Sequence, residues 1–166
     1  MLRWMPRIAA AVLALAAATA YADFTGKVVG VVDGDTLDVL VEKRPVRVRL
    51  AEIDAPEKRQ AFGTRARQKL SELAFGKTVT VRDHGTDWRG ARTVGHVLVD
   101  GQDVGRSMVA AGMAWAYPQY VKDRSLYDVE ARARAEGRGL WADASPTPPW
   151  RWRAERKAAA KAQAID

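Results

Sequence analysis

The sequence contains no cysteine and only two histidines among its 166 residues. Without cysteine the chain forms neither a disulfide nor a thiolate metal site, so its stability must come from its packed core. The two histidines, His84 in a predicted loop and His96 in a predicted strand, have no second histidine or cysteine at a spacing typical of metal ligands. The composition therefore argues against a histidine-bound metal centre.

The longest apolar run, Ile8 to Ala18, is shorter than the roughly 20 residues that a membrane-spanning helix needs. Arg3 and Arg7 precede this run and give the chain a positive start, and "AYA" at 20–22 is the small-x-small pattern that signal peptidase accepts. These features predict a signal peptide over residues 1–22 and an exported protein, periplasmic or secreted. The alternatives are an uncleaved anchor and an alanine-rich helix.

Acidic residues are fewer than basic ones, 20 against 27, which gives a net charge of +7. The predicted leader holds two arginines and no acid, so the mature chain carries +5. Three of these excess charges lie in the last seventeen residues, and the rest of the chain is weakly basic. This excess makes a polyanion a plausible partner without requiring one.

Hydrophobic periodicity divides the mature chain into one domain, residues 23–149, and a basic C-terminal tail, residues 150–166. Five segments have the alternation or β-branched content of strands: 24–32, 36–42, 44–53, 77–82 and 93–99. A helical pattern follows the third strand at 63–76, and further helical patterns cover 103–114 and 123–137. This order predicts an α+β fold, a five-stranded OB-type Greek-key barrel with C-terminal helices.

Two turns carry an unusual density of carboxylates. "VDGDT" contributes Asp33 and Asp35, and "IDAPE" contributes Asp54 and Glu57. An Asp-Gly hairpin turn accounts for Asp33 but not for Asp35, and a proline turn capped by acids accounts for "DAPE". A three-stranded meander can also bring the two turns together, and a cluster of oxygen ligands suits a hard cation.

Arg49 lies five residues before Asp54 on the third predicted strand. A carboxylate cluster beside a fixed guanidinium suits attack on a phosphodiester, because a metal polarises a phosphate oxygen, a carboxylate takes a proton from water, and the arginine stabilises the charge of the transition state. A solvated barrel face is the simpler explanation of Arg49 alone. The conjunction of these groups favours the catalytic interpretation.

Several separated motifs, in order, resemble the thermonuclease family of staphylococcal-nuclease-like phosphodiesterases. They are "VDGDT", "RLAEIDAPE", "FGTRA", "VLVDGQDVGRSMVAAGMAW" and "GLWADASPTPPW", and the resemblance spans about residues 26 to 150. It implies an OB barrel and Ca²⁺-dependent hydrolysis of DNA and RNA that leaves 3′-phosphate ends. We expect these nucleic acids as substrates, no membrane association of the mature form, and a monomer.

The resemblance also implies roles for individual residues. Asp35 and Asp54 correspond to metal-ligating carboxylates, the backbone carbonyl of Ala55 to a further ligand, and Asp33 to a supporting acid. Glu57 corresponds to the general base. The family often has threonine at the position of Ala55, a change that we expect to matter little because the ligand is a main-chain oxygen.

The two phosphate-binding arginines implied by the resemblance are Arg49 and Arg92. In "DWRGAR" an extra residue, Ala91, separates the glycine from Arg92. Counting back from the turn at 99–101 nevertheless places Arg92 at the base of the fifth strand, whereas Arg89 is predicted to contact flanking phosphates.

Two tyrosines complete the candidate substrate-binding residues. Tyr117 and Tyr120 are candidates for stacking on nucleobases, with packing beside Trp115 as the alternative for them.

The sequence thus predicts an exported Ca²⁺-dependent nuclease with little sequence preference. A catalytically inactive OB-fold module that binds nucleic acid is the alternative, and a structural Ca²⁺ site on an adhesive domain is a weaker one. Four chemically matched groups in two turns, Asp35, Arg49, Asp54 and Glu57, favour the enzyme, since a binding groove does not need them all.

Overall fold

The structure, a computed structural model, describes residues 22–164. The predicted leader, except for Ala22, lies outside the described residues, and its cleavage and the export of the protein stay predictions. Within 22–164, no helix has both the length and the apolar character needed to cross a bilayer.

The described residues form four strands, a helix, three further strands and then mainly helices. The strands are β1 Phe24–Val31, β2 Thr36–Val41, β3 Arg44–Leu50, β4 Ile53–Asp54, β5 Thr78–Thr86, β6 Thr93–Val99, β7 Gln102–Asp103 and β8 Trp115–Ala116. The helices are α1 Gly63–Ala74, α2 Val104–Ala110, α3 Ser125–Ala135 and α4 Pro149–Gln163, with a 3₁₀ turn at Gly139–Ala142.

The main sheet has the strand order β3-β2-β1-β5-β6-β7, and β3 also pairs with β6 in parallel. This additional pairing, which sets Val48 against Thr93 and Leu50 against Gly95, closes β1, β2, β3, β5 and β6 into a five-stranded barrel. The predicted OB-type α+β fold with C-terminal helices is confirmed. Alternate residues of the strands point inward, which is why the sequence pattern was informative.

The core lies between the barrel and helices α1 and α2. Its largest buried side chains are aliphatic and come from both: Leu37, Leu50, Ile53, Leu70, Met108, Val28, Val39, Val48, Val79, Val81 and Val97. A cysteine-free domain of this size therefore has the buried apolar surface on which its stability must depend.

The boundaries of β5 differ from the prediction. The strand continues through residues 83–86, so His84 lies in a strand and the predicted loop position is wrong. The pairing register of β5 with β6 shifts between Asp83 and Thr86, and Gly85 in this interval has a φ of 97°. A bulge built on a left-handed glycine allows the strand to continue where the residue pattern alone suggests an end.

A small second sheet positions one end of the barrel. Ile53 and Asp54 of β4 pair antiparallel with Ala116 and Trp115 of β8. This pairing fixes the chain directly after β3, and it holds Asp54 in a backbone ladder at the place where the carboxylate turns meet.

Candidate active site

The turn between β1 and β2 carries the first two carboxylates. Its backbone closes through the amide of Val32, which donates to the carbonyl of Thr36 over 2.9 Å, and the amide of Asp35 donates to Oδ1 of Asp33 over 3.1 Å. Position 34 has room only for glycine, because a Cβ there would lie 2.7 Å from the Cβ atoms of Ala55 and Ala66. The absence of a side chain lets this turn pack directly on the second one.

Asp35 links the two turns through its buried carboxylate. Oδ2 accepts the amide N–H of Ala55 over 3.1 Å and Nη2 of Arg49 over 3.3 Å, and Oδ1 accepts the hydroxyl of Thr36 over 2.9 Å. The carbonyl of Asp35 accepts the amide of Leu50 at the end of β3. The expected juxtaposition of the "VDGDT" and "IDAPE" turns is therefore present in the fold.

Asp54 is the most buried of the four acids, with 1% of its surface exposed. Nη2 of Arg49 donates to its Oδ1 over 3.0 Å. Arg153, from helix α4, donates to Oδ1 over 3.1 Å and to Oδ2 over 2.7 Å. Two guanidinium groups therefore converge on one carboxylate.

Glu57 lies at the rim of the site, with about a third of its side chain exposed to solvent. Its Oε1 accepts a hydrogen bond from Nη1 of Arg153 over 2.8 Å. Its amide donates to Oε1 of Gln60 over 3.1 Å, and the Nε2 of Gln60 donates to the carbonyl of Thr147 over 2.6 Å. Gln60 thus ties the Glu57 turn to the segment that leads into α4.

Burial and mutual repulsion shape the ionisation of the cluster. Burial, together with the charge of Asp35, raises the pKa of Asp33 to about 6. Burial also raises the pKa of Asp54, although Arg153 and Arg49 oppose this change. Burial alone would lower the pKa of Arg49, but Asp35 and Asp54 outweigh it and raise that pKa. Closely spaced carboxylates attract a cation, because a nearby positive charge favours their ionised forms.

The donor atoms suit a hard cation in their chemistry. Asp35, Asp54 and the main-chain oxygen of Ala55 are oxygen ligands of the kind that Ca²⁺ takes. Within residues 22–164, however, no three acidic or histidine side chains are arranged as a ready metal site. At Asp54, hydrogen bonds from Arg49 and Arg153 take up carboxylate positions that a metal would use.

The second predicted phosphate-binding arginine lies away from these hydrogen bonds. Arg92 directly precedes β6, and its Nε donates to Oδ2 of Asp87 over 2.9 Å. The guanidinium of Arg89 stacks over the ring of Trp88, whose side chain is largely exposed. Arg92 is therefore the better fixed of the two, and its assignment as the second phosphate ligand stays a prediction.

The two tyrosines have different surroundings. Tyr117 stacks in parallel on Trp150 of α4, with ring centroids 5.2 Å apart, and Tyr120 contacts Tyr117 edge to face. Tyr120 is more than half exposed. A nucleobase can reach Tyr120 directly, whereas one face of Tyr117 is already covered by Trp150.

Arg153 is the site residue that the sequence analysis missed. The sequence pattern separates a basic C-terminal tail, residues 150–166, from the domain. In the structure most of this tail forms α4, which buries Pro149 and brings Arg153 onto Asp54 and Glu57. The available signal was "PPWRWR", in which prolines precede two tryptophans that alternate with arginines. Proline at the first helical position begins a helix at this point.

A closed OB barrel with carboxylates clustered on adjoining turns, and with arginines packed against them, defines a class of phosphodiester-cleaving proteins that act on nucleic acid. The family model described as Staphylococcal nuclease homologue matches residues 47–143. The chain belongs to this family and is a nuclease, a hydrolase of nucleic acids.

Relatives with printed names agree with this assignment. The chain is 45% identical over 145 residues to a "Micrococcal nuclease" of Shigella flexneri, covering 81% of this chain and 83% of that protein. It is 47% identical over 149 residues to "Protein ParB" of Escherichia coli, covering 82% and 84%. An "Uncharacterized endonuclease" of Escherichia coli O157:H7 is 47% identical over 121 residues, covering 72% and 78%.

Proposed function

We propose that the protein is an exported, Ca²⁺-dependent nuclease that cleaves both DNA and RNA with little sequence preference and leaves 3′-phosphate ends. The observation that carries this proposal is that two packed turns bring Asp35 and Asp54 together beside Glu57, with Arg49 of β3 bonded to both aspartates. The micrococcal nuclease relative supports the same chemistry. An inactive binding module has no use for a buried, charge-compensated carboxylate cluster.

Each side chain has a definite task in this proposal. Asp35, Asp54 and the carbonyl of Ala55, supported by Asp33, would hold Ca²⁺, which polarises a phosphate oxygen when bound. Glu57, at the solvent edge, accepts a proton from the attacking water. Arg49 is fixed by three acceptors, namely Asp35, Asp54 and the carbonyl of Ile53, and it presents positive charge to the phosphate.

The proposed reaction is a single displacement at phosphorus. The water oxygen forms a bond to phosphorus, its proton passes to Glu57, and the bond between phosphorus and the 5′ oxygen breaks. The leaving oxygen takes the bonding electron pair and is protonated by solvent. This balance gives one 3′-phosphate and one 5′-hydroxyl end, and preorganised guanidinium charge lowers the barrier.

The test is digestion of single-stranded DNA, duplex DNA and RNA by the purified protein in Ca²⁺ or in excess chelator, with Glu57→Gln, which lacks the proposed general base, as the control. We expect cleavage of all three substrates in Ca²⁺ only, and products that become substrates for a polymerase after phosphatase treatment of their 3′ ends. Full cleavage in chelator would remove the Ca²⁺ requirement. Binding without cleavage by the unaltered protein would favour the OB-fold binding module.

Export is tested separately from catalysis. We expect N-terminal sequencing of exported material to begin at Asp23, because the "AYA" pattern ends at residue 22. A mature protein that begins at Met1 would contradict the leader without affecting the nuclease assignment.

A further inference from the structure

Helix α4 places a side-chain cation among the oxygens that the proposed function assigns to a divalent cation and to the attacking water. We propose that Arg153 is a built-in competitor: it occupies Asp54 and Glu57 in the cation-free protein, and Ca²⁺ displaces it on binding. This inference rests on the proposed function and adds a regulatory contact to it. The observed affinity for Ca²⁺ is then reduced by the free energy needed to break the contacts of Arg153 with Asp54 and Glu57.

The acceptor capacity of Asp54 supports competition. A carboxylate has about four lone-pair positions, and in Asp54 three of them receive N–H groups, one from Arg49 and two from Arg153. Glu57 uses one oxygen for the same guanidinium. A divalent cation in direct contact with Asp54 would lie within a few ångströms of Arg153, where like charges repel strongly in a partly buried site.

The two arginines differ in how readily they can move. Arg49 belongs to strand β3 and exposes 18% of its side chain, whereas Arg153 exposes 39% of its side chain and belongs to a surface helix. Arg49 therefore stays as the fixed guanidinium of the site, and Arg153 can rotate into solvent.

Helix α4 is anchored independently of Arg153. Pro149 is buried, and Trp150 stacks on Tyr117 and contacts Trp115 edge to face. Residues 154–164, beyond Arg153, are exposed. Release of the guanidinium therefore requires neither unstacking of Trp150 nor loss of core contacts, and the anchored first turn keeps Arg153 close enough to return when the cation leaves.

Charge balance gives the direction of the effect. The cluster contains four carboxylates, those of Asp33, Asp35, Asp54 and Glu57, against the guanidiniums of Arg49 and Arg153. Removing Arg153 makes the cluster more negative by one charge and frees oxygen positions on Asp54. Both changes favour binding of a divalent cation.

The experiment measures Ca²⁺ binding by isothermal titration calorimetry without nucleic acid, in the full chain and in Arg153→Gln. Loss of a charge-assisted pair should tighten Ca²⁺ binding by about tenfold. Arg151→Gln is the matched control, because Arg151 lies on the same helix and this substitution removes the same charge. Among residues 22–164, the ion-pair partner of Arg151 is Glu155, at the surface. We expect its Kd to stay within about twofold of that of the unaltered protein.

Two further measurements distinguish displacement from a structural role. Added Ca²⁺ should raise the melting temperature of Arg153→Gln more than that of the unaltered protein, since no internal pair is lost. Arg153→Lys, which keeps the charge without the planar fork, should show an intermediate Kd.

The opposing outcomes are specific. Equal Kd values for the unaltered protein and Arg153→Gln would overturn the inference, as would equal tightening in Arg151→Gln. If Arg153→Gln binds Ca²⁺ with the Kd of the unaltered protein but has low turnover at saturating Ca²⁺, Arg153 is a phosphate ligand instead. If the unaltered protein neither binds Ca²⁺ nor cleaves with it, both the proposed function and this inference fail. If it cleaves with Ca²⁺ but Arg153→Gln has the same Kd, this inference alone fails.

Discussion

Arg153 and Asp54 are 99 residues apart in the sequence, and two hydrogen bonds of 3.1 and 2.7 Å join their side chains. The contact ties the last helix to the short strand β4 and brings a surface helix onto the most buried acid of the candidate site. The pairing raises the pKa of Arg153, because the hydrogen bonds and charges of Asp54 and Glu57 outweigh the opposing effect of burial. The site is therefore charge-compensated by residues from three distant parts of the chain.

Glu57→Gln should lower turnover by about 10² to 10⁴, the usual contribution of a general base. Glutamine preserves the size of the side chain and can still accept a hydrogen bond from Arg153, so the turn should keep its shape. Turnover is measured at saturating substrate, with circular dichroism as the check on folding. Cleavage at the rate of the unaltered protein would exclude Glu57 as the base.

Arg49→Lys should lower turnover by about 10² or more, even though the charge is kept. In the structure one terminal nitrogen of Arg49 reaches Asp35, Asp54 and the carbonyl of Ile53, which leaves the rest of the planar fork for a phosphate. An ammonium cannot make the same arrangement. Arg47→Lys is the control, because Arg47 pairs with Asp38 at the surface; equal losses in both variants would contradict the assignment.

The parts of the site that were predictable from the sequence are those determined by local geometry. Alternation along β3 and the turn after it place Arg49 and Asp54 five residues apart, and the antiparallel pairing of β2 with β3 sets Thr36, beside Asp35, opposite Arg49. Strand period and turn chemistry are enough to bring these groups together. The same alternation indicates the five strands of the barrel, whereas the β3–β6 pairing that closes it joins distant segments.

The parts that were missed depend on distant contacts. Nothing in the local pattern of the tail indicates that Arg153 meets Asp54, because that contact is set by the stacking of Trp150 on Tyr117. His84 was misplaced for a related reason: a bulge at Gly85 continues β5 through residues that resemble a loop. Hydrophobic periodicity shows which face of a helix or strand is buried, but it does not show which other part of the chain covers that face.

Arg92→Ala should lower turnover strongly, whereas Arg89→Ala should mainly raise the apparent Michaelis constant. Arg92 is held at the base of β6 by Asp87, and preorganised charge is what stabilises a transition state. Arg89 stacks on exposed Trp88 and is free to follow flanking phosphates, so its contribution should weaken with salt. Steady-state kinetics of both variants at two salt concentrations checks this, and the reverse pattern would exchange the two roles.

Gly63→Ala should destabilise the protein by about 1–3 kcal/mol, as overpacking does, and should also lower turnover. A Cβ at position 63 would collide with the backbone carbonyl of Glu57, which accepts the amide of Gln60 over 2.8 Å. The turn that carries Glu57 would have to shift. Thr64→Ala is the control for helix α1, because Thr64 is the next residue and is exposed. Unchanged stability and turnover in Gly63→Ala would show that the turn has room to move.

His96 and Asp103 should give the fold a pH-dependent stability that is independent of the candidate active site. Nδ1 of His96 lies 2.6 Å from Oδ2 of Asp103, and Nε2 lies 3.5 Å from Oε1 of Glu52. The hydrogen bond to Asp103, aided by Glu52, raises the pKa of His96 despite partial burial. Burial alone would raise the pKa of Asp103, but its hydrogen bonds, first that from His96, lower it.

The signs of the two shifts define the pH range of the effect. The contribution of His96 is fully present below its ordinary pKa of 6.5 and is lost as pH rises through the higher folded value. The contribution of Asp103 is present above 3.8 and is lost as pH falls through the lower folded value. The pair therefore stabilises the protein most between about pH 4 and 6.5.

Thermal unfolding of His96→Gln should show this window. The variant should lose about 1 kcal/mol of unfolding free energy at pH 5.5, a value reduced for the partial exposure of both groups, and clearly less at pH 8.5. His84→Gln is the matched control, because burial and the neighbouring His96 lower the pKa of His84, so its removal should not destabilise the protein selectively at low pH. An equal loss at both pH values would mean that His96 acts through packing alone, and the charged pair with Asp103 would then contribute nothing measurable.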